Sequence, residues 1–405
     1  MRDAPQTSRA HARGARRVCL VSGGTGGHLM PALVLGRALL EEGREPLLVT
    51  EGRDVERELV RRELPELPTF EVPRSGRSPV ALPWWLLRAT WTARGLLRRY
   101  DVGGVISTGG RASVPVALAA KSLGLPVFLL EQNAVTGRAN RWLGKIARRM
   151  YTGLPSSAAG GHGAEVRRAG ASGRVLHTGT PLRRGFGHVD RAAARGELGL
   201  EENVPVVLVT GGSQGARALN ELVPQALQQV RRPLQVVHLS GLGSDDAVRA
   251  RYGAGGRELQ ASVRAVAADM DRLFAAADLV ICRGGGTTVS ELMAVGRAAV
   301  VVPYPHHSDQ QQLHNARALQ RVGAAVVCEE RDLDVAGLAA RVGALLEEPA
   351  RLRAMGDEAR KLRRLDAAEA ILADVDREIS GAAPRTVGAP AEVAVRAPQR
   401  RGGVA

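Results

Sequence analysis

Three times along this chain a short run of β-branched or aliphatic residues ends in glycines and opens into an apolar-periodic segment. Val18 to Val21 leads into Ser22-Gly23-Gly24-Thr25-Gly26-Gly27-His28, Val206 to Val209 into Thr210-Gly211-Gly212-Ser213-Gln214-Gly215, and Leu279 to Cys282 into Arg283-Gly284-Gly285-Gly286-Thr287-Thr288. A strand that ends in glycine and feeds a helix turns its backbone N–H groups, and the positive end of the helix dipole, toward one point. That arrangement suits phosphate. The chain therefore reads as a holder of a phosphorylated ligand between two similar halves.

The segments between the turns say what surrounds them. Strand-like runs alternate with helical ones: Val18 to Val21, a helix from about Pro31 to Glu42, then Pro46 to Thr50, Gly104 to Ser107 and Val127 to Leu130. After Gly179-Thr180-Pro181-Leu182, which reads as a linker, the pattern restarts at Val206. It continues through Val236 to Leu239, Leu279 to Cys282, Ala299 to Val302 and Ala325 to Cys328. Alternation of this kind implies βαβ units and a parallel sheet. The fold class is α/β, with two Rossmann-like doubly wound domains facing across a cleft. Ligands of such sheets sit beyond the carboxyl ends of the strands, where all three glycine turns fall.

The expected organisation is a basic leader over 1–16, a first domain over 17–182 and a second over 183–351. A charged helical segment follows over 352–379, packing back on the first domain, and then a disordered, dispensable tail over 380–405. Only 3% of the 405 residues are aromatic while 44% are hydrophobic, so the cores rest on Val, Leu and Ala, as in sheets buried on both faces. Cys19, Cys282 and Cys328 each lie inside an apolar run and read as buried reduced thiols. No apolar run reaches the ~18 residues of a bilayer span, and the leader has no apolar stretch of a secretion signal.

The net charge of +15 is nearly all arginine and is compatible with a polyanion or an anionic membrane surface. Nucleic acid is disfavoured by the lack of aromatic-rich strands, zinc-finger spacing or a basic zipper. A dinucleotide fingerprint would need a third glycine where Leu29 stands, and a nucleotide P-loop would need a Gly-Lys-Ser/Thr end that none of the turns has. The Asp-x-Asp pairs Asp269/Asp271, Asp332/Asp334 and Asp374/Asp376 are scattered, and the first more simply starts a helix. His306, His307 and His314 lack further zinc ligands at a suitable spacing. No protein-bound metal or other cofactor is expected.

Four stretches taken together carry a family resemblance: Gly23 to Ala32, Leu130-Glu131-Gln132-Asn133, Gly211 to Ala216, and Thr288-Val289-Ser290-Glu291 followed by Gln311-Gln312 and Asn315. In order and spacing, from about Arg17 to Arg377, the chain resembles the MurG family. The resemblance implies a GT-B fold and an inverting glycosyltransferase. Its reaction moves N-acetylglucosamine from UDP-N-acetylglucosamine to the C4 hydroxyl of the muramyl sugar of undecaprenyl-linked lipid I, giving lipid II for peptidoglycan. It also implies a peripheral place on the cytoplasmic face of the cell membrane, and other cell-wall and division proteins as partners. Two other classes fit the same turns: another GT-B enzyme, such as a glycolipid synthase or a UDP-N-acetylglucosamine epimerase, and a non-catalytic UDP-sugar sensor or scaffold.

By resemblance, Thr25, Gly26, Gly27, Ser213 and the turn Gly286, Thr287 and Thr288 lie against the donor, with Val289 and Ser290 continuing that stretch. Ser213 is also a suitable helix N-cap. Thr288 to Glu291 fits a capping box in which Glu291 folds back on the cap amide, whereas the resemblance gives Glu291 the ribose hydroxyls. Ala267 corresponds to a backbone reader of uracil and Arg183 to a donor-binding arginine. Gln311 and Gln312 offer paired amides to the sugar, faced by Asn133, although one additional residue after Pro303 leaves Gln310 as an alternative. Polar helix surface is the plain reading of the glutamines. His28, the only titratable side chain in the first turn, is either the general base or a partner of the diphosphate.

A lipid acceptor brings the chain to a membrane. On a helical wheel from Leu82, Trp85, Leu86, Ala89, Ala93, Leu96 and Leu97 form one core-facing stripe. Left over is a face with Trp84, Leu87 and Trp91, flanked by Arg88, Arg94 and Arg98, a composition suited to the bilayer interface. The alternative is that this face packs under a loop of its own domain.

Overall fold

The computed structural model describes residues 17–24, 26–74, 81–155, 173–253, 258–306 and 309–380. The leader 1–16, the tail from 381 onward, Thr25, His307 and most of the Arg74 to Pro79 loop lie outside the described residues. Two parallel sheets organise the chain. The first contains β1 (Arg17–Ser22), β2 (Leu47–Thr50), β3 (Thr69–Glu71), β4 (Val102–Gly109), β5 (Val127–Glu131), β6 (Arg149–Thr152) and β7 (Val175–His177), in the order β3-β2-β1-β4-β5-β6-β7. The second contains β8 (Val206–Thr210), β9 (Leu234–Leu239), β10 (Leu259–Arg264), β11 (Leu279–Cys282), β12 (Ala298–Val301) and β13 (Ala325–Val327), in the order β10-β9-β8-β11-β12-β13. In each sheet the strand order reverses beside the strand that leads into a glycine turn, β1 or β8. Such a reversal opens a crevice at the carboxyl ends.

Both sheets are covered on both faces. Leu20, Ile106, Phe128 and Leu130 of the first meet one layer of helices, while Cys19, Val21, Val105 and Leu129 meet the other. The second sheet divides in the same way, with Leu208, Val280 and Ala299 on one side and Val207, Ile281 and Val300 on the other. The alternating strand residues thus serve two cores, which is why these strands read as unbroken apolar runs. All three cysteines are buried and free, and burial pushes the Cys19 and Cys282 thiols up to about 12.

The structure departs from the sequence reading in three places. β3, β6, β7 and β10 escaped it because they are short or carry exposed and charged positions. The stretch 352–379 is not one helix: Pro349–Arg360 ends before Ala367–Ser380 begins. The first helix begins at Gly26 rather than Pro31 and runs to Glu41, so His28 lies inside it.

The Ala367–Ser380 helix crosses back to the first sheet. Ile371, Leu372 and Val375 join the core of Leu20, Ile106 and Phe128, and Tyr151 donates to Asp374 at 2.9 Å. The outward and returning connections touch, since a Cβ on Gly179 would stand 2.5 Å from Arg364 Cβ.

Candidate active site

The three glycine turns meet in the cleft. A Cβ on Gly26 would stand 3.3 Å from Ser213 Oγ, which brings the first turn against the second. The Thr287 hydroxyl donates to Gly27 O at 2.9 Å, which joins the first turn to the third. Pro31 explains why that carbonyl is free: it has no N–H to return to Gly27 O four residues earlier, so the oxygen is left for a partner. The third turn also abuts the Glu131 loop, because a Cβ on Gly286 would lie 2.8 Å from Gln132 O and 3.0 Å from Asn133 Oδ1.

A fourth glycine turn, missed by sequence reasoning, completes the floor. Gly109 and Gly110 close β4 with φ of +113° and +91°, just ahead of the Ser113–Ser122 helix. A Cβ on Gly110 would meet Gly23 O at 2.1 Å, so only glycine allows the two turns to touch. The usable signal was the pair of glycines after a strand, hidden because two more glycines precede it at Gly103 and Gly104.

His28 sits against this turn. Its Nδ1 lies 2.9 Å from Thr108 O. A carbonyl only accepts, so the neutral imidazole carries its proton on Nδ1 and leaves Nε2 as an acceptor. Thr108 is itself held, its hydroxyl donating to His28 O at 2.8 Å and its carbonyl also accepting from Gln132 Nε2 at 3.1 Å.

Glu56 was also not anticipated. It is 2% exposed, and it accepts from Gly24 N at 2.8 Å and from Arg53 N at 3.0 Å. A buried carboxylate thus takes one amide of the first turn and ties it to the neighbouring βα unit. The helix then starts at Gly26, so the amides of Gly26 and Gly27 have no partner within it.

On the second domain, the Arg183 guanidinium donates to Ala268 O at 2.8 Å, beside Ala267, and lies over the Phe186 ring. Glu291 is 8% exposed, and burial raises its carboxyl from 4.5 to about 7 against a downward pull from Arg183. The capping-box reading of Glu291 is overturned: the helix runs over Gly286–Val295 with Gly285 as its cap, so Glu291 lies beyond the first turn. Ser213 is not a cap either, because the following helix begins at Arg217 after Ala216. It stays in the turn, facing Gly26. Thr288 is half-buried beside the turn. Val289 belongs to the core, and the Ser290 hydroxyl lies 2.9 Å from Thr180 Oγ1, so neither extends a side chain into the cleft.

The glutamines separate by geometry. Gln310 has φ of +47° and precedes the Gln311–Arg321 helix. Gln312 accepts from Tyr304 N at 3.0 Å and so fastens its own loop. Gln311 reaches across the cleft, with Nε2 3.2 Å from where a Gly137 Cβ would be. Opposite it, Glu131 is 3% exposed and accepts from Asn133 N, Asn133 Nδ2, Gly137 N and Asn140 Nδ2. One buried carboxylate thereby shapes the loop that presents Asn133.

Five of the six aspartates in the Asp-x-Asp pairs are committed elsewhere. Asp269 lies 3.3 Å from Arg264, Asp332 pairs with Arg331, Asp334 caps the Val335–Glu347 helix through Gly337 N, Asp374 accepts from Tyr151, and Asp376 pairs with Arg44.

Away from the cleft, the Leu82–Arg99 helix buries Ala89, Ala93 and Leu97. Trp84, Leu87 and Trp91 are 75%, 52% and 68% exposed, so they do not pack under a described loop. Arg88 and Arg98 flank them in solvent. Arg94 differs from expectation: it donates to Ser122 O at 2.8 Å, where the carbonyl end of the Ser113–Ser122 helix holds it. Trp142, half-exposed on the Arg138–Leu143 helix of the same domain, is a third exposed indole that the sequence reading left out. Among the described residues, no helix is long and apolar enough to cross a membrane.

Comparison with known proteins shows the family. The glycosyltransferase family 28 N-terminal domain matches residues 18–152 and the family 28 C-terminal domain matches residues 206–371. A UDP-N-acetylglucosamine–N-acetylmuramyl-(pentapeptide) pyrophosphoryl-undecaprenol N-acetylglucosamine transferase of Cupriavidus necator is 37% identical, with 84% of this chain and 93% of that protein covered. The protein of the same name from Desulfitobacterium hafniense is 33% identical, with 88% and 97% covered. The crystal structure of Acinetobacter baumannii MurG superposes with a TM-score of 0.73 at 28% identity, covering 90% of this chain and all of that one. A UDP-GlcNAc 2-epimerase from Neisseria meningitidis, with a TM-score of 0.62 at 12% identity over 89% of this chain and 99% of its own, shares the fold. With glycine turns from both domains meeting in one cleft, and with relatives of this similarity over most of its length, the chain belongs to the MurG family of glycosyltransferase family 28.

Proposed function

We propose that this chain transfers N-acetylglucosamine from UDP-N-acetylglucosamine to the C4 hydroxyl of the muramyl sugar of lipid I, yielding lipid II for peptidoglycan. The observation that carries the reading is the meeting of the three glycine turns, from two domains, at one point of the cleft. The C4 oxygen attacks the anomeric carbon from the face opposite the diphosphate. The C1–O bond breaks, its electron pair leaves with UDP, and the hydroxyl proton passes to His28 Nε2. The configuration inverts to a β-1,4 link. The His28–Thr108 bond favours the base over the diphosphate partner, since it leaves Nε2 unprotonated in the neutral ring.

Negative charge grows on the leaving diphosphate as that bond breaks. The amides of Gly26 and Gly27 and those of the Gly286 to Thr288 turn are assigned to it, each preorganised donor being worth ~3 to 4 kcal/mol in the transition state. Thr25 belongs to the same assignment by sequence, as does the Ser213 hydroxyl. Uracil is assigned to the Ala267 backbone, the ribose to Glu291 beside Arg183, and the sugar to Asn133 and Gln311, with Gln312 holding the loop. The reaction in this form needs no metal.

The acceptor is reached from the membrane surface. Trp84, Leu87 and Trp91, with Arg88 and Arg98, form the contact, and Trp142 extends it. Shallow insertion of indoles gains a fraction of ~25 cal/mol per Å², and each arginine adds ~1 kcal/mol near anionic lipid. Attachment of this strength is peripheral, reversible and weakened by salt.

The test is release of UDP from UDP-N-acetylglucosamine in detergent with EDTA, with and without a lipid I analogue. Release that requires the acceptor and survives chelation is expected. Release without acceptor would move the assignment to an epimerase or hydrolase, and binding without release would move it to a sensor.

A further inference from the structure

One side chain of the cleft bonds to both domains at once. Asn315, on the Gln311–Arg321 helix, is fully buried. Its Nδ2 donates to Asn133 Oδ1 and to Gly284 O, both at 2.9 Å, and its Oδ1 accepts from Ala134 N at 2.7 Å. Two of the partners belong to the first domain and the third to the glycine turn after β11. We propose that Asn315 is a positioning residue that fixes the Asn133 carboxamide toward the donor sugar when the two domains close. The inference rests on the function proposed above and names how the two halves of that site are brought into register.

Donors and acceptors set the orientation of the Asn133 carboxamide. Asn133 Oδ1 faces the Asn315 amide, and Asn133 Nδ2 donates to Glu131 Oε1 at 3.0 Å. Rotating the Asn133 carboxamide by half a turn would set an NH2 against an NH2 and an oxygen against a carboxylate. Only one orientation is satisfied. In that orientation the second N–H of Asn133 has no partner among the described residues, and Asn133 is half-buried at the cleft, on the loop that Gln311 reaches from the second domain. That N–H suits a sugar hydroxyl or carbonyl oxygen. When the domains separate, Asn133 loses the partner on its oxygen and is free to turn. The sugar site is therefore complete only in the closed form, while the uridine contacts at Ala267 and Glu291 lie on the second domain alone.

The experiment is a double-mutant cycle of Asn133→Ala and Asn315→Ala on the full chain, with Asn315→Asp as the variant closest in shape. Steady-state transfer from UDP-N-acetylglucosamine and binding of UDP alone are both measured. The single variants are expected to lose about 10- to 100-fold in kcat/KM, as for one or two misplaced hydrogen bonds in a reacting complex. UDP affinity should stay within about twofold. The double variant should be no worse than Asn133→Ala by more than about threefold, because Asn315 acts through Asn133. Asn315→Asp should lose as much as Asn315→Ala, since its second oxygen would face Asn133 Oδ1 and Gly284 O. Independent, multiplying losses in the double variant, or an Asn315→Asp enzyme with wild-type kcat/KM, would overturn the proposal. So would an equal loss of UDP binding, which would mark Asn315 as a general structural residue. A wild-type chain without transfer would instead refute the function itself.

Discussion

Lowering the pH from 8 to 6 should weaken the hold on UDP-N-acetylglucosamine through one carboxyl group. Glu291 is 8% exposed, and its carboxyl titrates at about 7 because burial outweighs the pull of Arg183. Ribose hydroxyls donate, so the form that receives them is the ionised carboxylate. About half of the sites are ionised at pH 7 and about a tenth at pH 6, so the dissociation constant should rise nearly tenfold from pH 8 to pH 6. The same carboxyl acts on stability. Its folded value is raised, so the stability linked to its proton is fully present below pH 4.5 and lost as the pH climbs through about 7. At about 1.4 kcal/mol per tenfold in proton affinity, the loss is about 3 kcal/mol by pH 8. The assay is calorimetric titration at several pH values in two buffers of different ionisation heat. UDP-N-acetylglucosamine is the right ligand because its diphosphate is doubly esterified and does not titrate in this range. Binding at pH 6 should release close to one proton per site, and at pH 8 almost none. Glu291→Gln should abolish that release and raise thermal stability at pH 8, which separates this carboxyl from every other titrating group in the cleft. A flat affinity from pH 6 to 8, or an unchanged slope in the Gln variant, would refute the reasoning.

Two further outcomes follow from the geometry. Gly109→Ala forces a side chain onto a residue at φ +113°, with its Cβ 2.6 Å from His28 Nδ1. It should cost on the order of 100-fold in kcat while UDP-N-acetylglucosamine binding holds, and equal losses in rate and binding would count against His28 as base. Replacing Trp84 and Trp91 together with Ser should weaken binding to anionic vesicles by about tenfold or more. Turnover of detergent-dispersed acceptor should persist, and unchanged vesicle binding in a folded variant would sink the membrane assignment.

What could be read from the residues alone follows from where side chains carry the information. The strands that lead into the three turns were legible because both faces of each sheet are buried, which enforces unbroken apolar runs. β6 and β10 were not, since Arg149 and Gln260 interrupt the pattern. The glycine turns announced themselves because positive φ at Gly24 and Gly212, and close approach of other backbone at Gly284 and Gly286, leave glycine as the residue that fits. Thr108 did not, because what orients His28 is its backbone carbonyl, which any residue could supply. Glu56 was not legible either, because nothing in the sequence marks a glutamate that accepts from two backbone donors. Arg94 looked like its neighbours on the wheel, and only the end of the adjacent helix shows why it turns inward. The capping readings of Ser213 and Glu291 failed for one reason: a glycine turn starts its helix according to backbone geometry, and the side-chain pattern of a cap recurs without being used.

The return of the Ala367–Ser380 helix to the first sheet has a consequence for how the molecule is made. A ribosome delivers β1 to β7 long before it delivers Ile371 and Val375, which finish the core around Leu20 and Phe128. Until then the first domain carries an uncovered apolar face, and Asp374 is not there to receive Tyr151. The second domain, lying between, can fold as it emerges. The half that emerges first is thus completed last, and a chain stopped after Arg360 leaves a finished second domain attached to an unfinished first one, a natural target for chaperones and proteases.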